Sequence, residues 1–250
     1  MLYSEKGAMP TSEAQVLRCE RKFEVISAWA HGVQRQWLEQ QVRCHPAMFR
    51  PTYPPRYVNN LYLDSAGLAA YEASVDGASE RSKTRVRWYH AVYGLIERPQ
   101  LEFKAKVGVV SRKRVYTLAP WDLQPGFAAA EVHALLRRSA LAPDVLAQVA
   151  GLQIALYNRY HRSYWETPDG GFRLTIDTHL TGCRVNRLHN RLRAAFEEQG
   201  VAVLELKYDT QYDDEAHAIA DALQFRLTRH SKYVEGVARA YGVPHGGMPL

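Results

Sequence analysis

Charged side chains recur at every second residue in Arg18-Glu20-Lys22-Glu24, Lys83-Arg85-Arg87, Glu102-Lys104-Lys106, Arg173-Thr175-Asp177 and Glu205-Lys207. Arginine forks grip phosphate oxygens in pairs, and lysine adds point charge. The carboxylates Glu20, Glu102, Asp177 and Glu205 each share parity with a basic residue. Hard cations such as Mg2+ or Mn2+ take oxygen ligands and commonly bridge one or two carboxylates to bound phosphates. Chemistry on a polyanion with its metal ion is what this set of residues can do. Glu205 is the preferred metal ligand, because Val203, Leu204 and Leu206 mark a buried strand where a charge needs a partner.

The residues between these charges are apolar: Phe23 and Val25, Val86 and Trp88, Leu101 and Phe103, Leu174 and Ile176, Leu204 and Leu206. Successive side chains on a strand point to opposite faces, so each stretch is expected to be a strand with one apolar and one charged side. A solvated face of an open sheet produces the same pattern on any single strand. Five strands doing so together, with bases outnumbering acids, argue instead that the charged sides converge. Like charges on neighbouring strands repel, and a phosphate chain would hold them together.

Elements fall out along the chain as follows. Residues 1–16 are expected to lack order, followed by a single domain over 17–241 and a Gly/Pro-rich tail over 242–250. Strands are expected at 17–26, 57–63, 81–93, 99–107, 113–118, 154–165, 172–178 and 201–208, mostly joined by short antiparallel connections. Helices are expected over 28–42 with Ser27 as its N-cap, 67–74, 128–150 with a break at Pro143, 213–223 and 230–241. Pro46, Pro51, Pro54 and Pro55 mark a loop, and 185–199 is either loop or helix. His230-Ser231-Lys232-Tyr233 opens the last helix, where Ser231 and Lys232 can join free backbone N–H groups around an anion. The fold class is α+β, an antiparallel β-barrel of about eight strands, wide enough for side chains or one ligand, with peripheral helices and a C-terminal helix.

Composition restricts the function classes. A net charge of +6 and a pI near 9.2 favour an anionic partner without choosing one. Three cysteines are odd in number and lack zinc-type spacing. No apolar run reaches membrane-span length and no signal-peptide core opens the chain, so a cytoplasmic location is expected. No G-x-S-x-G elbow, Walker loop or dinucleotide fingerprint is present. A nucleic-acid binder would need the basic strands on an open surface, with Trp88 and Tyr89 free to stack.

Several motifs occur in an order that resembles a known family. They are Arg18-x-Glu20-x-Lys22, Tyr62-Leu63-Asp64-Ser65, Lys83-x-Arg85-x-Arg87-x-Tyr89, Glu102-Phe103-Lys104-x-Lys106, Phe172-Arg173-Leu174-Thr175-Ile176-Asp177, Leu204-Glu205-Leu206-Lys207-Tyr208 and Ser231-Lys232-Tyr233. Together they resemble the VTC domain, the polyphosphate polymerase branch of the triphosphate tunnel metalloenzymes (the CYTH-like superfamily). Where the wider superfamily opens with E-x-E-x-K, this chain has Arg18, as in the VTC branch. A cation there trades metal-binding capacity for grip on a longer phosphate chain.

The resemblance implies a divalent-metal-dependent transferase that moves the γ-phosphate of ATP onto inorganic polyphosphate. A hydrolase on the same tunnel and a non-catalytic polyphosphate binder are the alternatives. It implies Lys22, Arg85, Arg87, Lys104, Arg173 and Lys232 as catalytic residues. Arg18, Lys83, Lys106, Arg159, Lys207 and Ser231 are the implied phosphate-binding residues, with Mn2+ or Mg2+ held by Glu205 and Glu20. Tyr157-Asn158-Arg159-Tyr160 and Tyr160-His161-Arg162 offer two registers, leaving Arg159 and Arg162 open. Fungal relatives add a sensor helical domain and membrane helices. Neither is read in this sequence, so a standalone version is expected, with any membrane partner a separate chain and no nucleic acid involved.

Overall fold

The alternation of charged and apolar residues dictates a sheet whose apolar side must be covered from without. The computed structural model describes residues 12–14, 18–28, 31–107 and 110–243. Strand β1 (Ser12–Ala14) lies within the stretch expected to lack order, and residues 15–17 and those before 12 lie outside the described residues. The chain continues with β2 (Arg18–Ile26), α1 (His31–Arg43), β3 (Arg50–Asp64), α2 (Ala69–Val75), β4 (Glu80–Tyr89), β5 (Gly94–Ile96), β6 (Gln100–Val107), β7 (Val110–Thr117) and β8 (Trp121–Leu123). Then come α3 (Ala129–Arg138), α4 (Pro143–Ala150), β9 (Gln153–Glu166), β10 (Phe172–Arg184), β11 (Phe196–Glu197), β12 (Val201–Asp209), α5 (Asp213–Leu223), β13 (Arg226–Thr228) and α6 (Lys232–Tyr241).

The main sheet has eleven strands, all antiparallel, in the order β1-β7-β6-β4-β3-β9-β10-β12-β2-β13, with β11 beside β10. Strands β5 and β8 form a separate pair. The α+β class with a mainly antiparallel sheet is as expected from the sequence, with short strands added to the expected eight. No helix among the described residues is long and apolar enough to cross a membrane.

Two apolar cores sit outside the sheet, not within its concavity. One joins Leu61, Val86, Trp88, Leu101 and Tyr157 to α3 and α4 through Val132, Leu135, Leu136, Val145 and Val149. The other joins Phe23, Leu174, Ile176, Leu204 and Leu206 to α1 and α5 through Leu38, Val42, Ala216 and Ile219. Burying a Leu, Ile, Val or Phe side chain contributes about 1.5–3 kcal/mol each, and these outer cores fix the orientation of the long strands β2, β4, β6, β9, β10 and β12. Helix α6 packs across β3 and β9 through Tyr233, Val234 and Val237 against Tyr62 and Leu156. Gly236 permits that approach, since a Cβ there would lie 2.5 Å from the Leu156 side chain.

Two local expectations are corrected and one open choice is resolved. The prolines Pro51, Pro54 and Pro55 lie within β3 rather than a loop. Up to Tyr57 this strand pairs only with β9, with register irregularities at Pro51/Tyr53 and Tyr53/Arg56. Proline is tolerated at such edges and bulges because no second ladder needs its missing N–H. Ser27 does not cap α1, which starts at His31; its backbone N–H donates to the Gly200 carbonyl at 2.8 Å and its Oγ has no partner. Trp29, placed on that helix by its spacing, lies outside the described residues. Residues 185–199 form a loop carrying only the two-residue β11.

Candidate functional site

Period-2 alternation puts the charged residues of β2, β4, β6, β9, β10 and β12 on the face turned away from both cores. The side chains show how far that face curls. Lys104 on β6 and Glu20 on β2 stand six strand-to-strand steps apart, about 29 Å in a flat sheet, yet their Nζ and Oε2 are 3.0 Å apart. The cationic sides therefore converge.

The cluster divides into three carboxylate centres. Glu102, buried on β6, accepts from Arg85 Nε at 2.8 Å and Lys113 Nζ at 2.9 Å, with Arg87 Nη1 at 3.5 Å. Burial alone would push its carboxyl up; the three cations outweigh that and hold it far below the usual carboxylate range. Arg87 also donates to Asn60 Oδ1 at 2.9 Å and Tyr160 Oη at 3.1 Å. Asn60 in turn donates to Asn158 Oδ1 at 2.9 Å.

At the second centre, Asp177 is fully buried and faces Arg162 on the neighbouring strand. Arg162 forks onto it at 2.6 Å through Nε and 2.6 Å through Nη2, and Lys232 Nζ lies 2.7 Å away. Glu205 shares both cations, at 3.2 Å from Arg162 and 2.9 Å from Lys232, and takes Lys207 at 3.3 Å. Despite burial, both carboxyls are held low by these cations. The third centre is Glu20, between Lys104 at 3.0 Å and Lys22 at 3.5 Å. Burial and nearby Glu205 push its carboxyl up, but Lys22, Lys104 and Lys207 prevail and hold it at about 2.

Lys83 differs from the rest. Among the described residues it has no carboxylate partner; its ammonium donates to Ser231 Oγ at 2.8 Å. Burial, then Lys22, Lys104, Arg81 and Arg85, push it down to about 7. A bound polyanion would raise it again, so binding takes up a proton. The affinity contribution from Lys83 is full below pH 7 and falls progressively as pH rises from there through the raised pKa of the bound state. Calorimetric titration with inorganic tripolyphosphate is expected to show proton uptake near pH 7 that Lys83→Arg, charged throughout, abolishes.

Ser231 is the N-cap of α6, accepting from the Val234 N–H at 3.4 Å, and the same oxygen takes Lys83. Lys232 is buried against Asp177 and Glu205, not exposed at the start of the helix. Lys22 donates to the His230 carbonyl at 3.0 Å. Lys106 lies beside Arg81 and Lys104, and burial followed by those cations pushes its ammonium down. Arg173 sits at the exposed end of β10, paired with Glu166 at 2.9 Å. The backbone of Arg18 pairs with Asp209, and its side chain lies outside the described residues.

Of the two registers on β9, Arg162 enters the cluster and Arg159 does not. Arg159 stands on the opposite face, its guanidinium 3.6 Å from the centre of the Tyr57 ring. Of the two registers left open, the cross-strand partners of Arg159 are Asn59 and Thr181, whereas Arg162 faces Asp177. Arg159→Ala is expected to leave turnover within about threefold of wild type, less than about 0.7 kcal/mol in barrier, in a phosphoryl-transfer assay, because its side chain stacks on Tyr57 on the face away from the cluster. Sequence reasoning also passed over Lys113, Asn60, Asn158 and Tyr160. Lys113 sits within the consecutive run Arg112-Lys113-Arg114, which shows no alternation to single it out, and Tyr160 and the asparagines carry no charge to mark them. Trp88 is buried in the outer core and cannot stack on a ligand, and Arg56 covers Tyr89 at 4.0 Å.

Among the described residues no group of three or more His, Cys, Asp or Glu is arranged to hold a metal ion. Glu20 and Glu205 nevertheless lie on paired strands, each opposite a lysine of the other's strand, and repel one another. Two such carboxylates suit Mg2+ or Mn2+, which take one or two from the protein and the remaining oxygens from water and phosphate.

No curated protein matches this sequence. A candidate adenylate cyclase from Vibrio parahaemolyticus aligns over 89% of this chain and 98% of its own, with a TM-score of 0.50 and 11% identity, and shares the fold. The PH1819 protein from Pyrococcus horikoshii OT3 aligns over 88% and 97%, with a TM-score of 0.40 and 10% identity. The model of the VTC domain family matches residues 18–241. With its curled antiparallel sheet and converging cations, the chain belongs to the VTC domain family.

Proposed function

We propose that this protein transfers the terminal phosphoryl group of ATP to the end of an inorganic polyphosphate chain, within a basic tunnel that the curled sheet encloses. The observation that carries the reading is the state of the carboxylates. Glu102, Asp177, Glu205 and Glu20 are each clamped by at least two cations and held low. Carboxylates in that state are poor bases toward water, and efficient general bases sit near the working pH. A polyphosphate terminus is already an oxyanion and needs none. The transfer balances without a proton: acceptor oxygen bonds to the γ-phosphorus, the bond to the β,γ-bridging oxygen breaks, and ADP departs with its electron pair.

Phosphoryl transfer demands positioning and charge neutralisation more than covalent help. Lys22, Lys83, Arg85 and Lys104 offer their cations to the phosphates, while Arg87, Arg162 and Lys232, tied to buried carboxylates and tyrosine, hold the wall in place. A divalent cation, Mn2+ or Mg2+, on Glu205 and Glu20 would neutralise phosphate oxygens when bound. Arg18, at the position where hydrolytic relatives carry an acid, adds grip on a long chain.

The test is a product assay. Purified protein given ATP with Mn2+ or Mg2+, resolved on a gel, is expected to yield a ladder of polyphosphate, and chelation of the metal to suppress it by at least about 100-fold, the scale of lost transition-state charge stabilisation. Consumption of ATP with only orthophosphate released would overturn the transferase reading in favour of a hydrolase. Tight binding without turnover would leave a polyphosphate-holding protein.

A further inference from the structure

Beside the cationic cluster lies a group of aromatic side chains that phosphate binding does not use. Tyr164 follows Arg162 by two residues on β9, so it shares the inner face about 7 Å further along the strand. Tyr53 pairs with it across the β3–β9 ladder, their ring centres 5.7 Å apart at 86°. Arg56 is pinned between Tyr89 at 4.0 Å and Tyr164 at 5.2 Å, and its Nε donates to Tyr164 Oη at 3.1 Å. This part of β3 has no β4 partner, which leaves the flank open.

Two features indicate a ligand there instead of packing. Tyr53 is 63% exposed, so its ring adds little to either core. Thr175, in register with both Tyr164 and Glu205, is 8% exposed, yet its Oγ1 has no hydrogen-bond partner among the described residues. A buried hydroxyl left unsatisfied costs about 1–3 kcal/mol, and this one stands at the junction of the aromatic group and the cluster.

We infer that the exposed ring of Tyr53, held edge-to-face by Tyr164, which Arg56 braces in turn, forms a stacking platform for the base of the nucleoside triphosphate whose phosphates occupy the cationic cluster, with Thr175 Oγ1 donating to an oxygen between the two. The inference rests on the nucleotide-donor reading above and adds to it the residues that tell a nucleotide from bare polyphosphate. A π-face suits any base, so the platform distinguishes nucleotide from tripolyphosphate more than one base from another.

The experiment is a pair of calorimetric titrations of the full chain, with ATP and with inorganic tripolyphosphate at the same divalent-cation concentration. In wild type, ATP is expected to bind more tightly than its phosphates alone would dictate. Tyr53→Ala is expected to weaken ATP by about 5- to 100-fold, the range that base–aromatic stacking supports, and to leave tripolyphosphate within about twofold. Tyr53→Phe, which keeps the ring, is expected to restore ATP binding. Unchanged ATP affinity in Tyr53→Ala, or equal weakening of both ligands, overturns the platform while leaving the phosphate site standing. Failure of wild type to bind either compound overturns the nucleotide-donor reading itself.

Discussion

Lys22→Ala is expected to lower ATP-dependent phosphoryl transfer by about 10²–10³-fold, the scale of removing one fixed donor from a developing charge, while the melting temperature moves by less than about 4 °C, equivalent to roughly 1 kcal/mol at this size. Lys22 stands on β2 directly opposite Glu205, its Nζ bonded to a backbone carbonyl and 3.5 Å from Glu20. Its side chain is about one quarter exposed, at 24%, so its loss leaves no large cavity. Glu20 keeps Lys104. Arg85→Ala is expected to lower transfer alike but to cost more stability, because buried Glu102 loses its two-point partner and keeps only Arg87 and Lys113. Steady-state turnover paired with thermal melts checks both. Undiminished transfer in either variant would mean that the cations on this face serve only to hold the sheet together.

Asp177→Asn has the opposite profile, with its first effect on stability. The substitution keeps shape and removes the charge that Arg162 and Lys232 both face inside the protein. Breaking a buried ion pair from one side costs about 3–5 kcal/mol, because the other partner stays buried and uncompensated. At this chain length that corresponds to about 6–20 °C in melting temperature. Glu205 still touches both cations, which places the result toward the lower end. Adding Lys232→Met should recover part of the loss by removing one orphaned charge. A double variant whose destabilisation equals the sum of the two singles would show that Asp177 and Lys232 are not coupled. Thermal or urea melts of the three variants decide it.

The strands and the charged side of each were legible along the chain because a two-residue period is a local property. Glu24 and Lys22 flank Phe23 whatever the rest of the protein does, and the apolar partners Leu204 and Leu206 state which side of β12 must be buried. The clustering of cations with a few acids was legible for the same reason. Proline placement was not: Pro51, Pro54 and Pro55 read as a loop until the strand beside them proves to pair on one side only.

Arg159 and Arg162 mark the boundary most clearly. They lie on opposite sides of one strand, either side of Tyr160, so the period lets one or the other face inward but not both. The choice falls to Asp177 on β10, which the cross-strand register sets opposite Arg162. Lys83 makes the same point about energetics. Its sequence neighbours resemble those of Arg85, yet Arg85 finds Glu102 and Lys83 finds only a hydroxyl. Composition and period thus name the charged residues and the sides they occupy. Which of them neutralise one another, and which are left for a ligand, is set by contacts between strands far apart in sequence, where Coulomb energy depends on distances that no local pattern encodes.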